Sequence, residues 1–154
     1  MTVHPDAFAD TVRRADEAAA HVAQLVNLRN MWARSCLDGD IAAGSPHPTR
    51  AELALLAGMT PNHLSWLARQ EREADAPVIE FSLHGFQDVL TQLTIARSRH
   101  VRWVAQRKQE TWLLRNDGIG AAEAARLTDM PFQRFARWWR EARADHVYEE
   151  HPDE

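Results

Sequence analysis

The chain has 154 residues, 45% hydrophobic and 26% charged, with a formal charge of −4 and a single cysteine. That length buries a real core, as one domain or two small ones, and the balance is that of a soluble globular protein. No uncharged run approaches a membrane span, no basic-then-apolar signal segment opens the chain, and Cys36 has no partner for an intramolecular disulfide, so a cytoplasmic setting is expected.

Alanine is abundant and β-branched residues are few, which favours helix throughout. Phe8, Val12, Ala15, Ala19, Val22 and Val26 step by four and three, predicting a long helix from about Phe8 to Leu37. Leu25, Leu28 and Trp32 widen its stripe, so its later part is expected to be the more buried. Cys36 falls on an apolar face and reads as a small buried hydrophobe. Asp38-Gly39-Asp40 ends the helix, and Ile41 to His47 reads as a loop.

Pro48 to Arg72, PTRAELALLAGMTPNHLSWLARQER, reads as a helix, a tight turn and a second helix. Thr49 and Glu52 have capping-box spacing. Leu53, Leu56 and Ala57 are expected to face inward, and Gly58 supplies the left-handed residue that ends the first helix. Thr60 and Pro61 restart a helix whose inward residues are Leu64 and Leu67. That helix is expected to run out by Pro77. Val78 to Phe81 is the only β-like segment, and reads as a docking linker in preference to a wing strand, for want of a partner strand.

A second long helix is predicted from about Gly85 to Arg115, its stripe of Val101, Val104 and Trp112 interrupted by Arg97 and Lys108. A bend, or a face shared with a partner, would explain the interruption. After Asn116-Asp117-Gly118 comes GIGAAEAARLTDMPFQRFARWWREAR, which matches the first motif at a constant offset of 71. Glu52 pairs with Glu123, Ala54 with Ala125, Leu56 with Leu127, Met59 with Met130, Leu64 with Phe135 and Leu67 with Trp138. Trp138 and Trp139 are adjacent, so one of them is expected at a periphery or an interface.

The predicted fold is all-α, two pseudo-repeated units, each a long helix followed by a helix-turn-helix. The expected boundaries are 1–77, 78–144 and an acidic flexible tail, 145–154. Between Arg97 and Arg143 eleven Arg or Lys face five Asp or Glu, a local charge of +6, whereas the tail carries five acids and a charge of −5. The tail could therefore compete with a polyanion for the basic half.

AELALLAGMTPNHLSWLARQER resembles the helix-turn-helix superfamily of bacterial and phage transcriptional regulators, in its Ala-Gly-Met-Thr turn and the helices on either side. EAARLTDMPFQRFARWW is a looser example, with Asp129 where glycine usually stands. The resemblance covers about a third of the chain. It implies sequence-specific binding of double-stranded DNA through the second helix of each motif, and a nucleoid association if the source is bacterial.

With Leu64 and Leu67 inward, Asn62, His63, Ser65, Trp66 and Arg69 are expected to face outward from the first recognition helix. With Phe135 and Trp138 inward, Gln133, Arg134, Arg137 and Arg140 face outward from the second. Asn and Gln suit adenine, and Arg suits guanine, on the major-groove edge. Arg97, Arg99, Arg102, Arg107 and Lys108 are candidates for phosphate contacts, which add affinity without sequence information.

The rival reading is a protein-interaction module that docks through the first motif on RNA polymerase or another regulator, without DNA contact. The near-neutral first motif and an outward Trp66 favour it. A homodimer is a further possibility, with the long helices packing either within the monomer or between subunits. No catalytic constellation, metal-ligand spacing or cofactor motif stands out, and His146 and His151 read as part of a solvated tail. The chain is therefore not expected to be an enzyme.

Overall fold

A computed structural model describes residues 3–150, with side-chain surroundings through Asp145. Among the described residues there are six helices and no strand: α1 (Pro5–Leu37), α2 (Arg50–Ala57), α3 (Pro61–Arg69), α4 (Leu83–Asn116), α5 (Ala121–Thr128) and α6 (Phe132–Glu150). The protein is all-α. A single bridge pairs Ile41 with Phe81, so the Val78–Phe81 segment is a linker that docks a fully buried Phe81.

The chain forms two compact units, Ala20–Arg97 and Met1–Ala19 with Ser98–Glu154. The division at residue 77 is thereby corrected, because the cuts fall inside α1 and α4. Each long helix carries apolar residues along its whole length. Its two halves therefore serve different cores, and each unit is two long-helix halves plus one helix-turn-helix.

In the unit holding the first motif, Ala33 and Cys36 of α1 pack with Leu53, Ala54 and Ala57 of α2, Leu64 and Leu67 of α3, and Phe81 and Phe86. Leu25, Leu93 and Ala96 extend this packing along α1 and α4. Gly85 is needed where the two helices come close, because a Cβ there would lie 2.4 Å from the Trp32 ring. In the other unit, Phe8 and Val12 of α1 join Leu114 of α4, Ala124 and Ala125 of α5, and Phe135, Trp138 and Trp139 of α6. The later part of α1 is the more buried, as expected: across residues 25–37 only Asn27 is exposed, whereas the first half alternates enclosed residues such as Phe8 and Val12 with exposed ones.

Three face assignments are corrected. Leu56 lies outside with Leu55, and the inward set on α2 is Leu53, Ala54 and Ala57. Val101 is exposed, because the buried line of α4 runs instead through Ala96, Thr111 and Leu114, with Trp103 and Arg107 half-buried between them. Trp138 and Trp139 are both buried, because α6 is covered on two sides. Trp138 meets Phe8 and Phe135, while Trp139 donates its Nε1–H to the carbonyl of Ile119 (3.1 Å).

The segment from Asp145 is not a flexible tail up to Glu150, because α6 continues that far. Residues 151–154, with His151, lie outside the described residues, as do the surroundings of the His146 side chain. Cys36 is buried as expected, and burial pushes its thiol pKa up. No helix among the described residues is long and apolar enough to cross a membrane.

Candidate nucleic-acid interface

Local backbone chemistry builds both motifs. The Thr49 hydroxyl accepts from the Glu52 N–H, and the Thr60 hydroxyl accepts from the His63 N–H, which satisfies free donors at the starts of α2 and α3. Gly58 takes the left-handed conformation (φ 63°), and the Met59 N–H bonds to the Ala54 carbonyl (2.9 Å). Seventy-one residues on, Asp129 takes the same conformation (φ 53°), and the Met130 N–H bonds to the Ala125 carbonyl (3.1 Å). Asp is among the few residues that enter this region at modest cost, which lets it stand in for glycine. Gly120, at the start of α5, has no side-chain cap to offer.

Burial follows the same offset. Leu53 and Ala124, Ala54 and Ala125, Leu64 and Phe135, and Leu67 and Trp138 are all buried. On the outside, Leu56 and Leu127 are similarly exposed, at 38% and 41%. At these positions the anchors of the second pair, Phe135 and Trp138, are the larger aromatic ones.

On α3, Asn62, Trp66 and Arg69 are exposed, at positions i, i+4 and i+7 of one face. Trp66 keeps 49% of its surface. Ser65 is half-buried. His63 does not stand free, because its ring lies edge-on to Trp66 (5.6 Å) and its Nε2 is buried without a partner.

On α6, Gln133, Arg137 and Arg140 are exposed with the same spacing. At the offset of 71 they stand at the positions of Asn62, Trp66 and Arg69. Arg140 has no ion pair among the described residues, and Arg137 is loosely paired with Glu141 (3.8 Å). Arg134 is a correction. It turns back to pair with Asp16 of α1 and lies over the Trp138 ring (4.8 Å), so it holds the unit together instead of facing outward.

The proposed phosphate contacts divide in the same way. Arg97, Arg99 and Arg102 are exposed on α4 and have no ion pair among the described residues. Lys108 reaches Asp145 (3.7 Å). Arg107 turns inward over the Trp138 ring (4.4 Å), with its Nε buried and unpartnered. Burial, only partly offset by Glu141, holds its pKa below the usual arginine value. Its long side chain offers the aromatic core more contact than it could gain in water.

Sequence reasoning missed the clamp at the end of α3. Arg34 of α1 donates Nη1 to the carbonyls of Leu67 and Gln70, and its Nε to Asp38. Arg72 pairs with Asp38 (2.7 Å) and Asp40 (3.5 Å). A cation among the last carbonyls of a helix satisfies free acceptors and complements the helix dipole. The Arg34–Asp38 spacing of four residues was the available signal.

No group of three or more His, Cys, Asp or Glu among the described residues could hold a metal ion. No protein-family model, curated protein or solved structure matches the chain.

Proposed function

We propose that the chain is a sequence-specific double-stranded DNA-binding protein, a transcriptional regulator of bacterial or phage type, that reads the major groove with α3 and α6. The observation that carries this reading is the pair of equivalent exposed triads, Asn62–Trp66–Arg69 and Gln133–Arg137–Arg140. Each stands on the second helix of a helix-turn-helix, with a carboxamide in the first turn and an arginine two turns on. A carboxamide suits adenine and a guanidinium suits guanine. Arg99 and Arg102 are unpaired cations on α4 that suit phosphates.

Of the two, α6 is the stronger candidate, since its triad holds two arginines. The first motif carries a second reading. Trp66, Leu55 (86% exposed) and Leu56 leave apolar surface on α2 and α3, which suits a protein contact. In that case the second motif reads DNA while the first docks on RNA polymerase or another regulator.

The test is affinity for mixed-sequence duplex DNA at two salt concentrations, comparing the parent chain with Arg137→Glu/Arg140→Glu and with Trp66→Ala. The charge reversal is expected to abolish binding and Trp66→Ala to leave most of it. Equal affinity of all three proteins would contradict the proposal.

A further inference from the structure

Two arginines in the Ala20–Arg97 unit lack a counter-ion. Arg29 of α1 is only 7% exposed, and its Nε and Nη2 donate to Oδ1 of its neighbour Asn30 (3.4 and 3.2 Å). Its Nη1 makes no hydrogen bond among the described residues, and Arg97 of α4 makes neither a hydrogen bond nor an ion pair there. The sequence explains why. Ala20 to Leu37 contains no Asp or Glu, and Leu83 to Arg97 contains only Asp88, which is exposed and meets His84 (3.7 Å). A guanidinium held largely out of water without a carboxylate is costly, and one neutral amide oxygen offsets little of that cost.

The two charges converge. In this unit α1 and α4 run antiparallel, since Cys36 shares a cluster with Phe86, and Leu25 shares one with Leu93 and Ala96. Side chains on a helix lean toward its N-terminus. Arg29, one turn beyond Leu25, therefore leans back toward the level of Leu25, and Arg97, one turn beyond Leu93, leans back toward that of Leu93. Both reach one stretch of the seam between the helices. Burial, together with the nearby charge of Arg97, holds the Arg29 pKa below the usual arginine value. Val22, Val26 and Leu28 beside this stretch are only partly buried, so it is open at its edge.

Two like charges at one place, with no acid on either helix half to balance them, select an anion. The fork of N–H groups on a guanidinium matches an oxyanion that takes two bonds at once. A doubly charged oxyanion balances both arginines, which a single negative charge does not.

We propose that Arg29 and Arg97 bind a phosphate dianion, free or as the terminal group of a small phosphate monoester. The bound dianion bridges α1 to α4 and stabilises the unit. A phosphodiester in a nucleic-acid backbone carries one charge, so this site differs in kind from backbone contacts at Arg99 and Arg102. It does not rest on the DNA reading.

The experiment is titration of the full-length ¹⁵N-labelled chain, without DNA, at mildly alkaline pH where phosphate is doubly charged. Inorganic phosphate is expected to shift the Arg29 and Arg97 Nε–H signals saturably, with a Kd on the order of 1 mM, while the exposed Arg99 responds weakly and without saturation. Dimethyl phosphate, a monoanion like the nucleic-acid backbone, is expected to bind about tenfold more weakly, and chloride at matched ionic strength to give no saturable shift. Arg97→Gln, a change at an exposed position, is expected to weaken phosphate binding roughly tenfold or more. Arg29→Met replaces the buried cation by an apolar side chain and is expected to remove binding. Phosphate at about ten times its Kd is expected to raise the Tm by about 3–8 °C over chloride in the parent chain, and not in Arg29→Met. Among dianions, tighter binding of phenyl phosphate than of inorganic phosphate marks a monoester as the ligand, and the reverse order marks the free ion. The absence of saturable shifts at several times the expected Kd would overturn the proposal. So would unchanged affinity in Arg97→Gln, equal shifts of Arg29 and Arg99, or dimethyl phosphate that binds as tightly as inorganic phosphate. No DNA is present, so a chain that fails to bind duplex can still take phosphate, and one that reads duplex can still refuse it.

Discussion

Arg134 and Arg140 sit six residues apart on α6 and have opposite surroundings, so truncating each to alanine separates support of the fold from contact with DNA. Arg134 pairs with Asp16, with side chains 30% and 45% exposed, and lies over the Trp138 ring. A half-screened ion pair contributes at most about 1 kcal/mol, and a partly exposed cation–π contact about 0.5–1 kcal/mol. Arg134→Ala is therefore expected to cost roughly 1–2 kcal/mol and to lower the Tm by about 3–8 °C. Its effect on DNA affinity should be within about twofold once the folded fraction is equal. Arg140 is exposed and has no ion pair among the described residues, so Arg140→Ala should change stability by less than about 0.5 kcal/mol. A lost guanine contact is worth about 1–3 kcal/mol, or roughly 5- to 150-fold in affinity. Thermal melts and duplex titrations on both variants read the two effects. An unchanged melt for Arg134→Ala would refute the supporting role of its Asp16 and Trp138 contacts, and unchanged DNA affinity for Arg140→Ala would refute the reader.

Gly58→Ala should destabilise by about 1 kcal/mol, because a Cβ is forced into the left-handed region, and Asp129→Gly should be neutral or stabilising by up to about 1 kcal/mol; chemical denaturation of both checks the shared turn. Gly85→Ala would place its Cβ against the Trp32 ring and should cost about 1–3 kcal/mol, read as a lower urea midpoint. Deleting residues 145–154 removes five acids, including the Asp145 partner of Lys108, and should tighten DNA binding most visibly at low salt; unchanged affinity would contradict competition by this segment. Cys36 is buried and its thiol pKa is raised, which disfavours the reactive thiolate; a thiol reagent near neutral pH should modify it slowly in the folded chain and quickly in denaturant.

What was legible in the sequence was set locally. Thr49, Gly58, Thr60 and Pro61 act through their own backbone geometry, so the turn of the first motif could be read from the residues themselves. The offset of 71 carried that reading to the second turn, even though Asp129 replaces glycine. Arrangements set by a distant partner were not legible. Arg134 looks outward by its spacing from Phe135 and Trp138, but Asp16, 118 residues earlier, draws it back. Arg107 was expected at phosphates, yet a tryptophan from another helix gives it a face to lie on. Val101 and Leu56 fit an apolar stripe by period alone, and long helices that serve two cores do not keep one stripe along their length.

The central claim is that α3 and α6 are readers of double-stranded DNA. The most direct measurement is selection of the purified full chain against random-sequence duplexes, repeated at two salt concentrations. A shared motif is predicted, with recovery weakened by salt as released counterions demand, and two half-sites are predicted if both triads read. Recovery of no shared sequence at either salt would contradict the claim and turn attention to the Trp66 surface as a protein contact.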